Sequence, residues 1–155
     1  MAPSLTGPAW FLGLTQTAGK GRRARVWISP LGNFYATLLL QPTEPPEQVA
    51  LRSFAAALAL RDAFVALTGL PQAFALKWPN DVLLNGGKVA GILLESSSNG
   101  AGVAHLAIGT GVNLIAAPDA SVVEEGALQP VSLLGETGLR VDPETFLTHL
   151  AAAYA

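Results

Sequence analysis

An Asn85-Gly86-Gly87 turn between two apolar runs constrains this chain more than any other feature of it. Asn-Gly tolerates the positive φ that both central residues of a type I′ turn require, and that turn's twist matches a pair of antiparallel strands. Val82–Leu84 and Lys88–Glu95 are therefore predicted to form a hairpin. Ala73–Trp78 precedes it across Pro79-Asn80-Asp81, and Val103–Ile115 follows it across Ser96–Gly102, so the expectation is an antiparallel meander. Ala9–Gln16 and Asn33–Gln41 read as further strands upstream. Between them and the meander runs Glu47–Thr68, rich in Ala and Leu and free of Gly and Pro, which predicts the main helix. Its Leu51, Phe54, Leu58 and Val65 fall on one helical stripe, with Leu60, Phe64 and Leu67 adjoining, a wide apolar arc expected to pack against a sheet on one side and another element on the other. A short helical segment after Ser132 and a helix capped by Asp142, with Pro143 at its first position, complete the reading. The fold class is α+β, with a mixed, mostly antiparallel sheet and helices packed on it.

A chain of 155 residues suits one domain. Half of it is hydrophobic and only 13% is charged, so a core is readily built. The net charge of −2 argues against wholesale coating of nucleic acid or anionic lipid. The absence of cysteine excludes thiol catalysis, disulfides and cysteine-ligated zinc. His105 and His149 stand far apart with no carboxylate cluster beside either, so no metal site is predicted, and His105 reads as structural. The start, Met-Ala-Pro-Ser, has no basic leader, and the apolar run Phe54–Leu60 stops at Arg61, so a cytoplasmic protein is expected.

The positive charge is unevenly placed. Lys20, Arg22, Arg23 and Arg25 crowd a loop that also holds Gly19 and Gly21. Glycine lets backbone N–H groups approach an anion, and guanidinium groups grip carboxylate or phosphate oxygens in pairs. The string Gly19–Ala24 also satisfies the dinucleotide fingerprint G-x-G-x-x-G/A. That motif must open into a helix, whereas Val26-Trp27-Ile28-Ser29-Pro30 is β-branched, aromatic and broken by proline, which argues against it. The other lysines, Lys77 and Lys88, each lie beside a turn and flank one short strand pair, placing both toward one cleft. Taken singly, Asn80 and Asp81 read as turn formers and Trp78 as core.

Together these strings resemble the biotin protein ligases, in the catalytic domain they share with lipoate ligases. The resemblance rests on Gln16-Thr-Ala-Gly-Lys-Gly-Arg-Arg-Ala-Arg-Val-Trp27, Leu76-Lys-Trp-Pro-Asn-Asp-Val82, Lys88-Val-Ala-Gly-Ile-Leu-Leu-Glu95 and Ile108-Gly-Thr-Gly-Val-Asn-Leu114, in order and spacing. It implies ATP-dependent activation of biotin to biotinoyl-5′-AMP, then transfer to a lysine of a biotin carboxyl carrier protein, with ATP and Mg²⁺ required. The negative net charge and the lack of a helix-turn-helix string lead to the expectation of no DNA or membrane partner. Catalytic roles fall on Lys88, Arg22 and Asp81. Biotin binding falls on Gln16 at the ureido end, on Lys20, Gly21, Arg22 and Lys88, and on a floor of Gly109 and Gly111. ATP and adenylate binding fall on Arg23, Arg25, Trp27, Asn80 and Asn113.

Three departures from the family pattern accompany it. The family's Ser-Thr-Asn-like segment before the glycine loop has no counterpart, since Ser4 and Thr6 do not match it. Lys20 and Ala24 replace the usual Arg and Gly of the loop. The small C-terminal β-domain and the N-terminal helix-turn-helix are not represented. Residues 1–155 are thus expected to be one catalytic domain, incomplete at its N-terminus. The alternatives are an impaired biotin- or adenylate-binding remnant and a lipoate or octanoate ligase relative. A homodimer through an exposed strand edge is compatible with this architecture.

Overall fold

A computed structural model of the chain describes residues 7–155; Ser4 and Thr6 lie outside the described residues. Among these residues a six-stranded sheet runs in the order β1-β2-β6-β5-β4-β3. The strands are β1 (Ala9–Gly13), β2 (Phe34–Leu40), β3 (Phe74–Lys77), β4 (Asp81–Leu84), β5 (Gly87–Ser98) and β6 (Val103–Val112). Every pairing between these strands is antiparallel, and the parallel component is an isolated bridge between Lys88 and Pro130. The predicted hairpin forms: Leu84 faces Gly87 across the turn, with φ of 49° at Asn85 and 84° at Gly86.

Strand alternation gives the sheet two different faces. Phe34, Leu38, Ile92, Ile108 and Val112 point to one face and are buried beneath the helices. The helices are α1 (Pro46–Val49), α2 (Arg52–Thr68), α3 (Leu133–Thr137) and α4 (Pro143–Tyr154). An aromatic cluster joins the layers: Phe146 of α4 meets Phe34 of β2 edge to face at 4.9 Å, and Phe64 of α2 stacks on Phe74 of β3 at 4.9 Å. Gly69 ends α2 in the left-handed conformation. Ser132 and Asp142 cap α3 and α4 through the backbone N–H groups of Gly135 and Thr145.

The helical stretch differs from expectation in two respects. It is divided at Ala50-Leu51 into α1 and α2. Its buried face is Ala56, Ala57, Ala59, Leu60, Ala63 and Phe64, while Leu51, Phe54 and Leu58 are 58%, 39% and 53% exposed. A sequence apolar on all sides leaves its periodicity undecided. The small alanines let the helix axis approach the sheet and α4, and that close packing selects the face. Of the predicted arc, Leu60 and Phe64 are buried in the core and Val65 and Leu67 pack against it.

Glu44, in the loop after β2, pairs with Arg52 at the start of α2. The Arg52 guanidinium holds the Glu44 carboxyl down from 4.5 to about 2. The ionised form is thus favoured by folding, so its contribution is fully present above pH 4.5 and is lost as pH falls toward 2. Glu44→Gln should therefore flatten this part of the acid limb in a plot of melting temperature against pH. An acid limb identical to that of the parent chain would contradict the pairing's role.

Candidate active site

The face of the sheet opposite the helices is paved with glycine where β5 meets β6. Gly91 lies directly across from Gly111, and Leu93 across from Gly109. The indole of Trp27 lies against this glycine pair. A Cβ at Gly111 would come 2.8 Å from its Cε2, and one at Gly91 would come 3.2 Å from its Cζ3. Contacts under 3 Å are forbidden to real side chains, so glycine at 111 is what admits the ring. Trp27 Nε1 is buried and donates to no acceptor among the described residues, which leaves a donor available to a bound group.

Lys88 and Asp81 meet beside the indole. Asp81 opens β4 across from Gly91, and Lys88 follows the Asn-Gly turn on β5. A register shift after Val82 lets both side chains reach the same face, where Lys88 Nζ lies 2.9 Å from Asp81 Oδ1. The same ammonium lies 5.5 Å from the Trp27 ring centroid, within range of a cation–π attraction. Asn80 holds the turn that presents Asp81: its Nδ2 donates to the Ile92 carbonyl, and Ile92 N donates back to Asn80 O at 3.1 Å. The Trp78-Pro79 peptide bond in this turn is cis.

The basic loop closes the site from the other side. Lys20 and Val26 form an antiparallel bridge, Trp27 N donates to Gly19 O at 2.9 Å, and Gly21 N donates to Arg25 O at 2.8 Å. Arg23 and Ala24 at its tip have φ of 57° and 58°. A left-handed alanine costs about 1 kcal/mol relative to glycine there. Ala24 therefore keeps the tight turn at an energetic cost. After the loop, Tyr35 donates from its hydroxyl to Pro30 O at 2.6 Å, and burial pushes its phenol up to about 12, so it stays a donor. Arg25 reaches Glu124, 2.9 Å away on the segment that follows β6. That segment is tied to β5, because Lys88 N donates to Gln129 O and Val131 N to Lys88 O, both at 2.9 Å.

Loop, sheet face and trailing segment enclose a cavity of about 750 Å³. Gln16, Lys20, Gly21 and Arg22 line it on the loop side, joined by Arg23, Arg25 and Trp27. Asn80, Asp81 and Lys88 line the β4/β5 side, and Gly109, Gly111 and Asn113 the β6 side. Among the described residues no group of three or more His, Cys, Asp or Glu is placed to hold a metal ion. The cavity suits an elongated anionic ligand: a flat floor, cations along one wall and an aromatic surface between them.

The profile of the biotin/lipoate A/B protein ligase family matches residues 5–113. The chain belongs to that family. It is 58% identical over its full length to the biotin--[acetyl-CoA-carboxylase] ligase of Paracoccus denitrificans, and 33% identical over 140 residues, 90% of the chain, to the bifunctional ligase/repressor BirA of Bacillus spizizenii. It spans 65% of the length of the first relative and 42% of the second. Among solved structures, the biotin protein ligase of Aquifex aeolicus in complex with biotin and ATP superposes with a TM-score of 0.75 at 29% identity, covering 94% of this chain and 58% of that one. The Leishmania major enzyme in complex with biotinyl-5-AMP shares the fold, with a TM-score of 0.79 at 24% identity over 96% of this chain and 63% of its own.

Every residue singled out on the family resemblance thus lines one cavity, with unequal roles in building it. Asn113 is buried, and its Nδ2 donates to Val131 O at 3.1 Å, which anchors the trailing segment. Trp78 departs from the core reading, because it is 76% exposed and lines the cavity at its rim. His105 lies on the remote part of β6, with Nδ1 3.4 Å from Ser97 Oγ, and does not line the cavity. Sequence reasoning quoted Gly91 and Glu95 within the Lys88–Glu95 string without giving either a role, and missed the segment carrying Val123 and Glu124. The role of Gly91 could have been found by laying the two glycine-bearing strands side by side; the segment carries no motif.

The glycine floor yields a direct test. Gly111→Ala should push the indole off the sheet and shift tryptophan emission to the red. Gly109→Ala is the control, because its Cβ would meet Leu93 O at an ordinary 3.5 Å. Equal spectra for the two variants would contradict the packing of Trp27 on Gly111.

Proposed function

We propose that this chain activates biotin with ATP and passes the biotinoyl group to a lysine of a biotin carboxyl carrier protein. The observation that carries the reading is the convergence of Lys88, Asp81 and Trp27 on a glycine floor facing the Lys20–Arg25 loop across one cavity. In the first step a biotin carboxylate oxygen bonds to the α-phosphorus of ATP while the bond to the β-phosphate oxygen breaks, releasing pyrophosphate. In the second, the carrier lysine nitrogen bonds to the acyl carbon and AMP departs.

Both reactants of the first step are anions, so the site's task is to lower their repulsion and align them. Lys88 is held by Asp81 at the centre of the cavity and supplies a fixed positive charge to the reacting carboxylate and α-phosphate. Arg22, Lys20 and the Gly21 backbone receive the biotin carboxylate and the phosphate, with Arg23 and Arg25 on the polyphosphate. Trp27 offers a flat surface for adenine, beside Asn80 and Asn113. Gln16 and Gly109 would receive the bicyclic end of biotin, while Gly111 acts through the Trp27 indole that covers it. Asp81 also stands ready to orient the incoming lysine. Mg²⁺ fits as an ion carried in on ATP, with Asp81 the carboxylate nearest to Lys88; it would neutralise phosphate charge.

The remaining features complete the reading. Residues 1–155 serve as the catalytic domain. Among the described residues no helix is long and apolar enough to cross a membrane, and we place the reaction in the cytoplasm. β1 is a sheet edge with Phe11 exposed, which supports a homodimer through that edge.

The test is biotin-dependent exchange of labelled pyrophosphate into ATP. Lys88→Ala should lower the exchange rate by about 100-fold or more while the melting temperature changes little. Parallel loss of exchange and folding would assign Lys88 a structural role, and undiminished exchange would overturn its catalytic one.

A further inference from the structure

Ser29 sits at the base of the basic loop in a position that one proton cannot satisfy. Its Oγ lies 3.0 Å from the Gln16 amide oxygen and 3.0 Å from the Trp27 carbonyl oxygen. Both are acceptors, and a serine hydroxyl has a single hydrogen to give. The Tyr35 phenol, whose own hydrogen goes to Pro30 O, is a further neighbour. The two ends of a carboxamide have the same shape and are told apart by their partners. Turning the Gln16 amide over resolves the conflict: Gln16 Nε2 donates to Ser29 Oγ, and Ser29 Oγ donates to Trp27 O. Each group then has a partner of the opposite kind, and the Gln16 oxygen is left as a free acceptor.

The surroundings hold this chain of bonds in place. A Cβ at Gly19 would lie 2.6 Å from Gln16 Oε1, 2.6 Å from Trp27 O and 2.8 Å from Ser29 Oγ, so the three groups close around a glycine that has no side chain to displace them. Ser29 is fixed from its backbone as well, since Thr15 Oγ1 donates to Ser29 O at 3.0 Å. Gln16 and Gly19 line the main cavity, so the Gln16 side chain stands in the wall that a ligand meets.

We infer that Ser29 is a positioning residue: its hydroxyl relays between Gln16 and the Trp27 carbonyl and turns the Gln16 oxygen toward the ligand, so that the site selects a ligand carrying an N–H donor at that end. A cyclic urea such as the head of biotin presents N–H groups there, whereas a plain fatty acid presents none. The inference rests on the biotin reading above, and it adds a residue and a direction of hydrogen bonding to it.

Calorimetric titration of the full chain with biotin tests it. Ser29→Ala should weaken biotin binding about tenfold, the effect of one hydrogen bond that aligns a polar contact. Ser29→Thr, which keeps the hydroxyl, should restore it. In a Gln16→Ala background, Ser29→Ala should cost nothing further, because there is no amide left to orient. Gln16→Glu, which keeps an acceptor, should bind biotin more tightly than Gln16→Ala. Equal losses from Ser29→Ala with and without the glutamine would overturn the relay, as would a Gln16→Glu variant no better than Gln16→Ala. If the unsubstituted chain, folded, binds no biotin, the biotin reading itself falls, a result distinct from failure of the relay alone.

Discussion

The packing of one indole on two glycines organises the rest of this site. Trp27 can lie flat on the sheet only because Gly91 and Gly111 face each other across β5 and β6 on the side away from the helices. Once there, it anchors the basic loop, whose far side it joins through Gly19, and it sets the wall beside which Lys88 rests. A side chain at position 111 would lift the ring and with it the loop. The apolar face of the same two strands carries Ile92, Ile108 and Val112 into the core, so one pair of strands supports both the fold and the floor of the cavity.

Electrostatics then follow from placement. The protein is acidic overall, yet the cations of the loop and Lys88 line one cavity. Carboxylates hold two of these cations: Asp81 pairs with Lys88, which is partly shielded, and Glu124 pairs with Arg25, which is exposed. An exposed pair contributes about 0–1 kcal/mol and is readily exchanged for a phosphate, whereas the shielded pair fixes the charge at the centre. The arrangement combines one shielded positive charge with a wall of more exposed ones.

Much of the fold was legible in the chain because its signals were local. Asn85-Gly86 specified its turn through backbone sterics, Gly69 and Pro71 ended α2, and Asp142-Pro143 opened α4. The face of α2 was not legible, since an alanine-rich helix with apolar residues all round gives no preference until neighbours are present; Leu51, Phe54 and Leu58 turn outward as a result. The site divided in the same way. Its basic loop and the strings around Lys77–Val82 and Lys88–Glu95 stood out as motifs. The contribution of Gly91 emerged only from register, and that of residues 118–130 only from the tertiary path of a segment with no pattern of its own. Exposure of Trp78 was hidden for a further reason: an aromatic beside a turn has the same composition whether it fills a core or rims a cavity.

The central claim is that this cavity brings biotin and ATP together and retains what they form. Native mass spectrometry of the folded chain, incubated with biotin, ATP and Mg²⁺, tests it most directly. The account predicts a bound species with the mass of biotinoyl-5′-AMP that appears only when both substrates are present. A folded chain that carries biotin or ATP but never the adenylate, or that carries neither, would contradict it.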